Sequence, residues 1–275
     1  MDELAIPGLR FPEGPRWRDG TWWLSDQLGD RILRVNEAGD HTVVHEVAKP
    51  SGLGFAPDGA LLAVTMDHRN MIRIDADGAR EVADLRDVAG HLNDMCVGPD
   101  GRASRDAYGD HFDTHTHSLQ LVVPGEPVRQ VADRIKYPNG IALTPDGSTL
   151  LVSETFARCI TAFAVDPADG SLVSRRVWAE LPEDTNPDGL CLDAAGDVWV
   201  ASYLSGEFFH VREGGEVLER FSFPGRWALS CSLGGDNGRT LLLCTAETSQ
   251  DDYFAGRAIG HLDLRRVDVP GVGCP

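Results

Sequence analysis

Apolar residues along this chain come in short alternating runs, each broken by a polar turn that ends in glycine. The clearest unit is Tyr137-Pro-Asn-Gly-Ile-Ala-Leu-Thr-Pro-Asp-Gly147, followed by a second apolar run from Leu150 to Val152. Alternation with a period of two residues on either side of a Pro-Asp-Gly turn predicts a β-hairpin. The same grammar recurs around Gly20, Gly59, Gly101, Gly196 and Gly238, so that six turn glycines lie 39 to 49 residues apart. Repeats of this length with several strands each predict a β-propeller, because one small sheet cannot bury both of its faces and must stack against neighbours in a ring. The expectation is an all-β, six-bladed β-propeller with four-stranded antiparallel blades around a central channel, formed as a single domain by residues 1–275. The strand pair from Gly256 to Leu264 has no blade after it, and residues 1–12 are expected to join that last blade and close the ring.

The repeat also works as a ruler. Counting back seven residues from the turn acid or its replacement gives Ser51, Asn93, Asn139 and Asp188. Glu13 stands at the start of the first inner strand, and the sixth repeat has an apolar residue near Ala228 or Leu229. The start of each innermost strand faces the channel mouth in a propeller, so these side chains are expected to converge. Two carboxylates and two amide carbonyls offer only oxygen, the ligand set of a hard divalent cation such as Ca²⁺, Mg²⁺ or Mn²⁺. Taken singly, Asn or Asp before Gly also caps strands and forms turns. Four aligned positions that include Glu13 favour the metal site. Tyr203 and Trp227 are candidates for the channel wall, or else for packing between blades, and His68 is expected on a solvated loop.

The third repeat breaks the pattern. After Gly101 the chain reads Arg102-Ala-Ser-Arg-Asp-Ala-Tyr-Gly-Asp-His-Phe-Asp-Thr-His-Thr-His117 where an apolar strand belongs. His111, Asp113, His115 and His117 would share one face of a strand, but their order matches no zinc motif, and a polar outer strand or a lid over the channel is expected.

Composition narrows the function classes. The net charge of −18 argues against nucleic acid as a partner and fits a small neutral ligand or a cation. No run approaches the ~18 apolar residues of a membrane span, and no basic segment precedes an apolar one at the N-terminus, so a cytoplasmic protein is expected. The cysteines show no CxxC spacing; Cys96, Cys191 and Cys231 fall within inner strands and are expected to be buried free thiols.

Four motifs carry a resemblance: Phe11-Pro-Glu-Gly-Pro-Arg-Trp17, Leu92-Asn-Asp-Met-Cys-Val97, Tyr137 to Gly147, and Pro187-Asp-Gly-Leu-Cys-Leu-Asp193. Together they span nearly the whole chain and resemble the gluconolactonase and senescence-marker-protein (regucalcin) family of six-bladed propellers. The resemblance implies one divalent cation at the channel mouth and hydrolysis of sugar lactones. It makes Glu13, Asn139 and Asp188 metal ligands, and Asn93 a ligand or a substrate contact. It implies Ca²⁺ first, with Mg²⁺, Mn²⁺ or Zn²⁺ as alternatives. Where members of the family often carry arginine two residues before the asparagine, this chain has His91, which changes the polyol recognition expected there.

The expected chemistry is hydrolysis of a small cyclic ester. The cation polarises the lactone carbonyl, Asp188 acts as the base, and His91, Asn93, Tyr203 and Trp227 contact the substrate. Two other readings use the same scaffold: a metal-dependent step on another substrate, such as phosphotriester hydrolysis or a cyclisation or dehydration, and a non-catalytic Ca²⁺-binding propeller. The partner expected is a small molecule, with the chain a monomer or weak homodimer.

Overall fold

The computed structural model describes residues 2–88, 90–107 and 117–273. Six four-stranded antiparallel sheets form the blades. Their innermost strands are Pro12–Arg18, Pro50–Phe55, Met95–Val97, Pro138–Leu143, Pro187–Leu192 and Trp227–Gly234. Each chain segment then runs outward through its blade, so inner strands are buried and outermost ones such as Gly78–Asp84 are largely exposed. The turn glycines Gly20, Gly59, Gly101, Gly147, Gly196 and Gly238 all have positive φ, the conformation a tight hairpin turn demands and a side chain resists.

The sixth blade has the order Asp2–Leu4, Ile259–Arg266, Thr240–Glu247, Trp227–Gly234. Asp2 pairs with Leu264 and Leu4 with Leu262, so the N-terminal strand completes the blade built by the C-terminal part of the chain, as expected. Trp17 of the first blade lies against Gly234 of the sixth, where a Cβ would come within 2.6 Å of its ring. Among the described residues, no helix is long and apolar enough to cross a membrane.

The core sits between blades. Ile32 of the first blade packs with Leu53, Phe55 and Ala63 of the second, and Leu151 and Ile160 of the fourth pack with Leu190, Val200 and Phe209 of the fifth. Burying one such large apolar side chain contributes roughly 2 kcal/mol, and the alternation along each strand sends these residues to the two faces in turn. Cys96, Cys159, Cys191, Cys231 and Cys244 are free. Cys191 and Cys231 face each other across blades five and six with their sulfurs 3.8 Å apart.

The polar stretch of the third repeat departs from expectation. Ala103–Ala107 is the second strand of its blade, paired with Met95–Val97 on one side and His117–Val122 on the other. Arg105 and Asp106 are fully buried. Asp106 is tolerated because its two oxygens accept backbone N–H groups, from Asn93 at 2.8 Å and Asp94 at 3.0 Å. Arg105 lies between Met95 and Gln120 in the ladder; its guanidinium has no hydrogen-bond partner among the described residues, and burial lowers its pKa to about 10. His117 is buried, while His111 and His115, with Asp113, lie outside the described residues.

Five of the six inner strands carry a β-bulge near their start. Between Glu13 and Arg16, Pro50 and Leu53, Pro138 and Ile141, Pro187 and Leu190, and Ala228 and Ser230, one extra residue interrupts the ladder. A bulge of this kind bends the strand and re-aims a side chain. Four of the bulges contain a glycine over which the next blade passes. A Cβ on Gly140 would lie 2.4 Å from the Asp188 carbonyl, and one on Gly52 would lie 2.4 Å from the Met95 nitrogen. Both obstacles are backbone and cannot swing away. Gly140→Ala is therefore expected to destabilise the fold by about 3 kcal/mol through overpacking. Gly147→Ala, in open space at a turn, is expected to cost about 1 kcal/mol from its positive φ alone. Urea unfolding of the two variants measures the difference.

Candidate functional site

The bulges place the first residues of the inner strands at one end of the channel. Glu13, Asn139 and Asp188 are each less than a tenth exposed, and Asn93 is half-buried. Asn93 Nδ2 donates to Asn139 Oδ1 at 2.8 Å, and Ser51 Oγ donates to Asn93 Oδ1 at 2.7 Å. Ser25 Oγ donates in turn to the Ser51 carbonyl at 2.6 Å. This chain of hydrogen bonds stitches blades one to four together at the mouth, and it explains the serine in the second repeat: Ser51 orients an amide.

The carboxylates are held differently. Burial raises the pKa of Glu13 to about 8, with Asp94 and Asp106 adding repulsion against a backbone bond from Gly14 and the attraction of Arg16. Burial also raises Asp188 well above the usual range, with Glu13, Asp94 and Asp106 acting in the same direction. Burial thus opposes the ionised form of Glu13, and a nearby cation would favour it. Asp188 Oδ1 is buried without a hydrogen-bond partner among the described residues, which is rare for a buried oxygen. An orphaned carboxylate oxygen, a second carboxylate with raised proton affinity and amide oxygens beside them fit a hard divalent cation.

Asp94, next to Asn93, is tied down. It accepts from Arg16 Nη2 at 3.2 Å, from its neighbour Met95 N at 2.8 Å and from Ile141 N at 3.2 Å. It has no glycine's freedom to let blade four pass, and instead bonds that blade directly. Arg16 also donates to the Met95 carbonyl. Sequence reasoning passed over Asp94, Asp106 and Arg16; the adjacency of Asn93 and Asp94 was the available sign.

Aromatic groups surround the carboxylates. Tyr203 and Trp227 meet edge to face with centroids 5.4 Å apart, and Trp227 reaches Tyr253 at 6.2 Å. Tyr253 belongs to the short helix Gln250–Phe254, inserted between two strands of the sixth blade, and its hydroxyl donates to Gln27 Oε1 at 2.7 Å. Tyr137, in a left-handed conformation (φ 62), packs on Phe156 at 4.7 Å. Burial raises the pKa of all three tyrosines, and the charge of Asp188 adds to it in each case, which puts them within its electrostatic reach. Tyr203 and Trp227, the candidates for the channel wall, pack on each other between blades five and six, while Tyr137 and Tyr253 were not singled out as site residues. His91 is exposed on the segment leading to Asn93, and His68 is exposed on its loop.

A second acidic group behaves otherwise. Ligand atoms of Asp193, Asp197 and His210 lie within 4.8 Å of one another, yet Asp193 is saturated. It accepts from Ala195 N and Asp197 N at 2.8 and 2.9 Å, and pairs with His210 Nε2 at 2.8 Å. His210 stacks flat on Trp199. These bonds fasten a turn and leave the Asp193 oxygens no orphan.

The fold defines the class of six-bladed β-propellers, and comparison with known proteins narrows it. Residues 11–247 match the family profile described as the SMP-30/Gluconolactonase/LRE-like region. The chain is 30% identical to the pentonolactonase XacC of Haloferax volcanii, over 100% of this chain and 96% of that protein. It is 24% identical to a 6-deoxy-6-sulfogluconolactonase of Pseudomonas putida, over 100% and 99% of the two chains. A solved structure described as a gluconolactonase from Xanthomonas campestris superimposes with a TM-score of 0.74 at 28% identity, over 93% of this chain and 86% of that one. The chain belongs to the SMP-30/gluconolactonase family.

If Glu13 and Asp188 share a cation, its removal leaves two buried carboxylates repelling each other. Ca²⁺ at 100 times its Kd is expected to stabilise the protein by about 2.7 kcal/mol, and Glu13→Gln is expected to lose that gain while melting at or above the metal-free wild type. Thermal melts with chelator and with added Ca²⁺ check both halves.

Proposed function

We propose that the protein is a divalent-metal-dependent hydrolase that opens a small lactone at the channel mouth, with residues 1–275 acting as one domain. Glu13, Asn139 and Asp188 hold the cation, Ca²⁺ in the first instance, and Asn93 stands beside it. The observation that carries this reading is the orphaned, buried Asp188 Oδ1 within a group of carboxylates whose burial opposes their charge. The kinship with a pentonolactonase and with a gluconolactonase supports a lactone as substrate.

A divalent cation supplies Lewis acidity to a carbonyl oxygen when bound at such a site. The protein's own groups do the rest. The Asp188 carboxylate accepts a proton from the attacking water. That proton is returned to the ring oxygen as the acyl–oxygen bond breaks, so lactone and water become one hydroxy acid. Asn93 Nδ2, at present given to Asn139, is a donor at the edge of the ring that can turn to a substrate oxygen. Tyr203 and Trp227 wall the mouth and limit access of bulk water, and His91, exposed two residues before Asn93, is placed to meet the outer end of the substrate.

Asp188→Asn is expected to lower kcat by about 10³-fold or more, the scale of losing a general base, and Glu13→Gln to lose the metal-stimulated turnover. Release of acid from a lactone panel by chelated and Ca²⁺-loaded protein measures both. Near-wild-type turnover by Asp188→Asn would remove it from the chemistry. Metal binding without any lactone opening would point to a different reaction at this site.

A further inference from the structure

Among the described residues, the exposed large apolar side chains fall mainly into two sets, apart from Val88 on the segment leading into blade three and Ile259 at the start of the third strand of blade six. Val43, Val82, Val173, Val177, Val217 and Leu218 lie on outermost strands at the rims of the blades. Phe156, Leu204 and Phe254 do not. Each sits in the connection between the second and third strands of its blade, in blades four, five and six. The antiparallel course of the chain puts those connections at the same end as the starts of the inner strands: Pro138 pairs with Glu154, and Pro187 with Ser202. Phe156, Leu204 and Phe254 are 37%, 55% and 59% exposed; Phe156 packs on the half-buried Tyr137 and Phe254 on the half-buried Tyr253, and Leu204 follows the half-buried Tyr203.

Blades one and two differ. The corresponding connections of blades one and two carry Gln27, Asp30, Asp67 and His68, and Lys49 pairs with Asp67 at 3.2 Å. At their exposed positions the connections of blades four to six are thus apolar and those of blades one and two polar, while the matching connection of blade three lies outside the described residues. A site that selects a polyhydroxylated ring needs several free donors and acceptors around it. On the apolar side, the Tyr253 hydroxyl is already committed to Gln27.

We propose that the preferred substrate is a lactone bearing an alkyl or aryl substituent, with its ester at the acid–amide ring and its substituent laid over Phe156, Leu204 and Phe254. This rests on the lactonase reading above and adds the substrate class. A pentyl substituent that buries about four methylene groups against these side chains accounts for a preference of about 100-fold.

The test uses the Ca²⁺-loaded full chain with δ-decalactone, unsubstituted δ-valerolactone and glucono-1,5-lactone, and compares kcat/KM. Calorimetric binding of δ-valerolactam and its 6-pentyl derivative, which are not hydrolysed, runs in parallel. The expected order is δ-decalactone first, about 100-fold above δ-valerolactone, with glucono-1,5-lactone below both. Phe156→Ser and Leu204→Ser, both surface changes, are each expected to reduce the decalactone-to-valerolactone ratio about 5-fold. Glucono-1,5-lactone opened as well as or better than δ-decalactone, or ratios unmoved by both variants, would overturn the proposal and leave the lactonase reading standing. If no lactone is opened while the pentyl lactam still binds at least 10-fold tighter than the plain one, the lactonase reading fails and the apolar subsite stands. Equal binding of the two lactams overturns the subsite whatever the turnover.

Discussion

The close passage of one inner strand over the next at the bulged glycines is the constraint on which this molecule depends. Backbone from the following blade occupies the volume a side chain would need at Gly52 and Gly140. Only this approach draws the inner strands near enough for the residues just before the glycines, Ser51 and Asn139, to meet partners from other blades. Where the third repeat lacks the glycine, Asp94 supplies the connection through its bond to Ile141 N. Packing and chemistry are the same problem here: the spacing that closes the ring is the spacing that gathers Glu13, Asn93, Asn139 and Asp188.

Electrostatics separates Glu13 and Asp188 from the acids that fasten the fold. Asp26 and Asp193 are fully buried or nearly so, yet each is surrounded by donors. Asp26 accepts from the backbone of Arg10 and Phe11 and from Arg31, and Asp193 from two amides and a histidine. A buried carboxylate so provided for is a structural rivet. Glu13 and Asp188 have fewer donors and more acidic neighbours. In the sequence only the repeat, used as a ruler, sets Glu13 and Asp188 apart from Asp26 and Asp193; composition ranks them together.

What could be read from the chain was what repeats. The turn glycines fixed the number of blades, and the offset from each turn located the acid–amide positions without any knowledge of the channel. What escaped was what does not repeat. The stretch Arg102 to Ala107 has no apolar alternation, yet it folds as a strand because Asp106 satisfies two backbone amides and Arg105 is enclosed by its neighbours. Tyr253 arrives through an insertion in a single blade, and Tyr137 through a left-handed backbone. Such features depend on tertiary partners that no periodicity announces.

Closure of the sixth blade by Asp2–Leu4 has a kinetic side. The pairing of Asp2 with Leu264 joins residues almost the full length of the chain apart, the costliest kind of contact in loop entropy and the slowest to form. During synthesis the first strand must wait, unpaired, until Ile259–Arg266 has left the ribosome. Five blades can stack before then, but the seam stays open. The acid–amide ring, which draws on blades on both sides of that seam, is thus finished only when the last strand arrives.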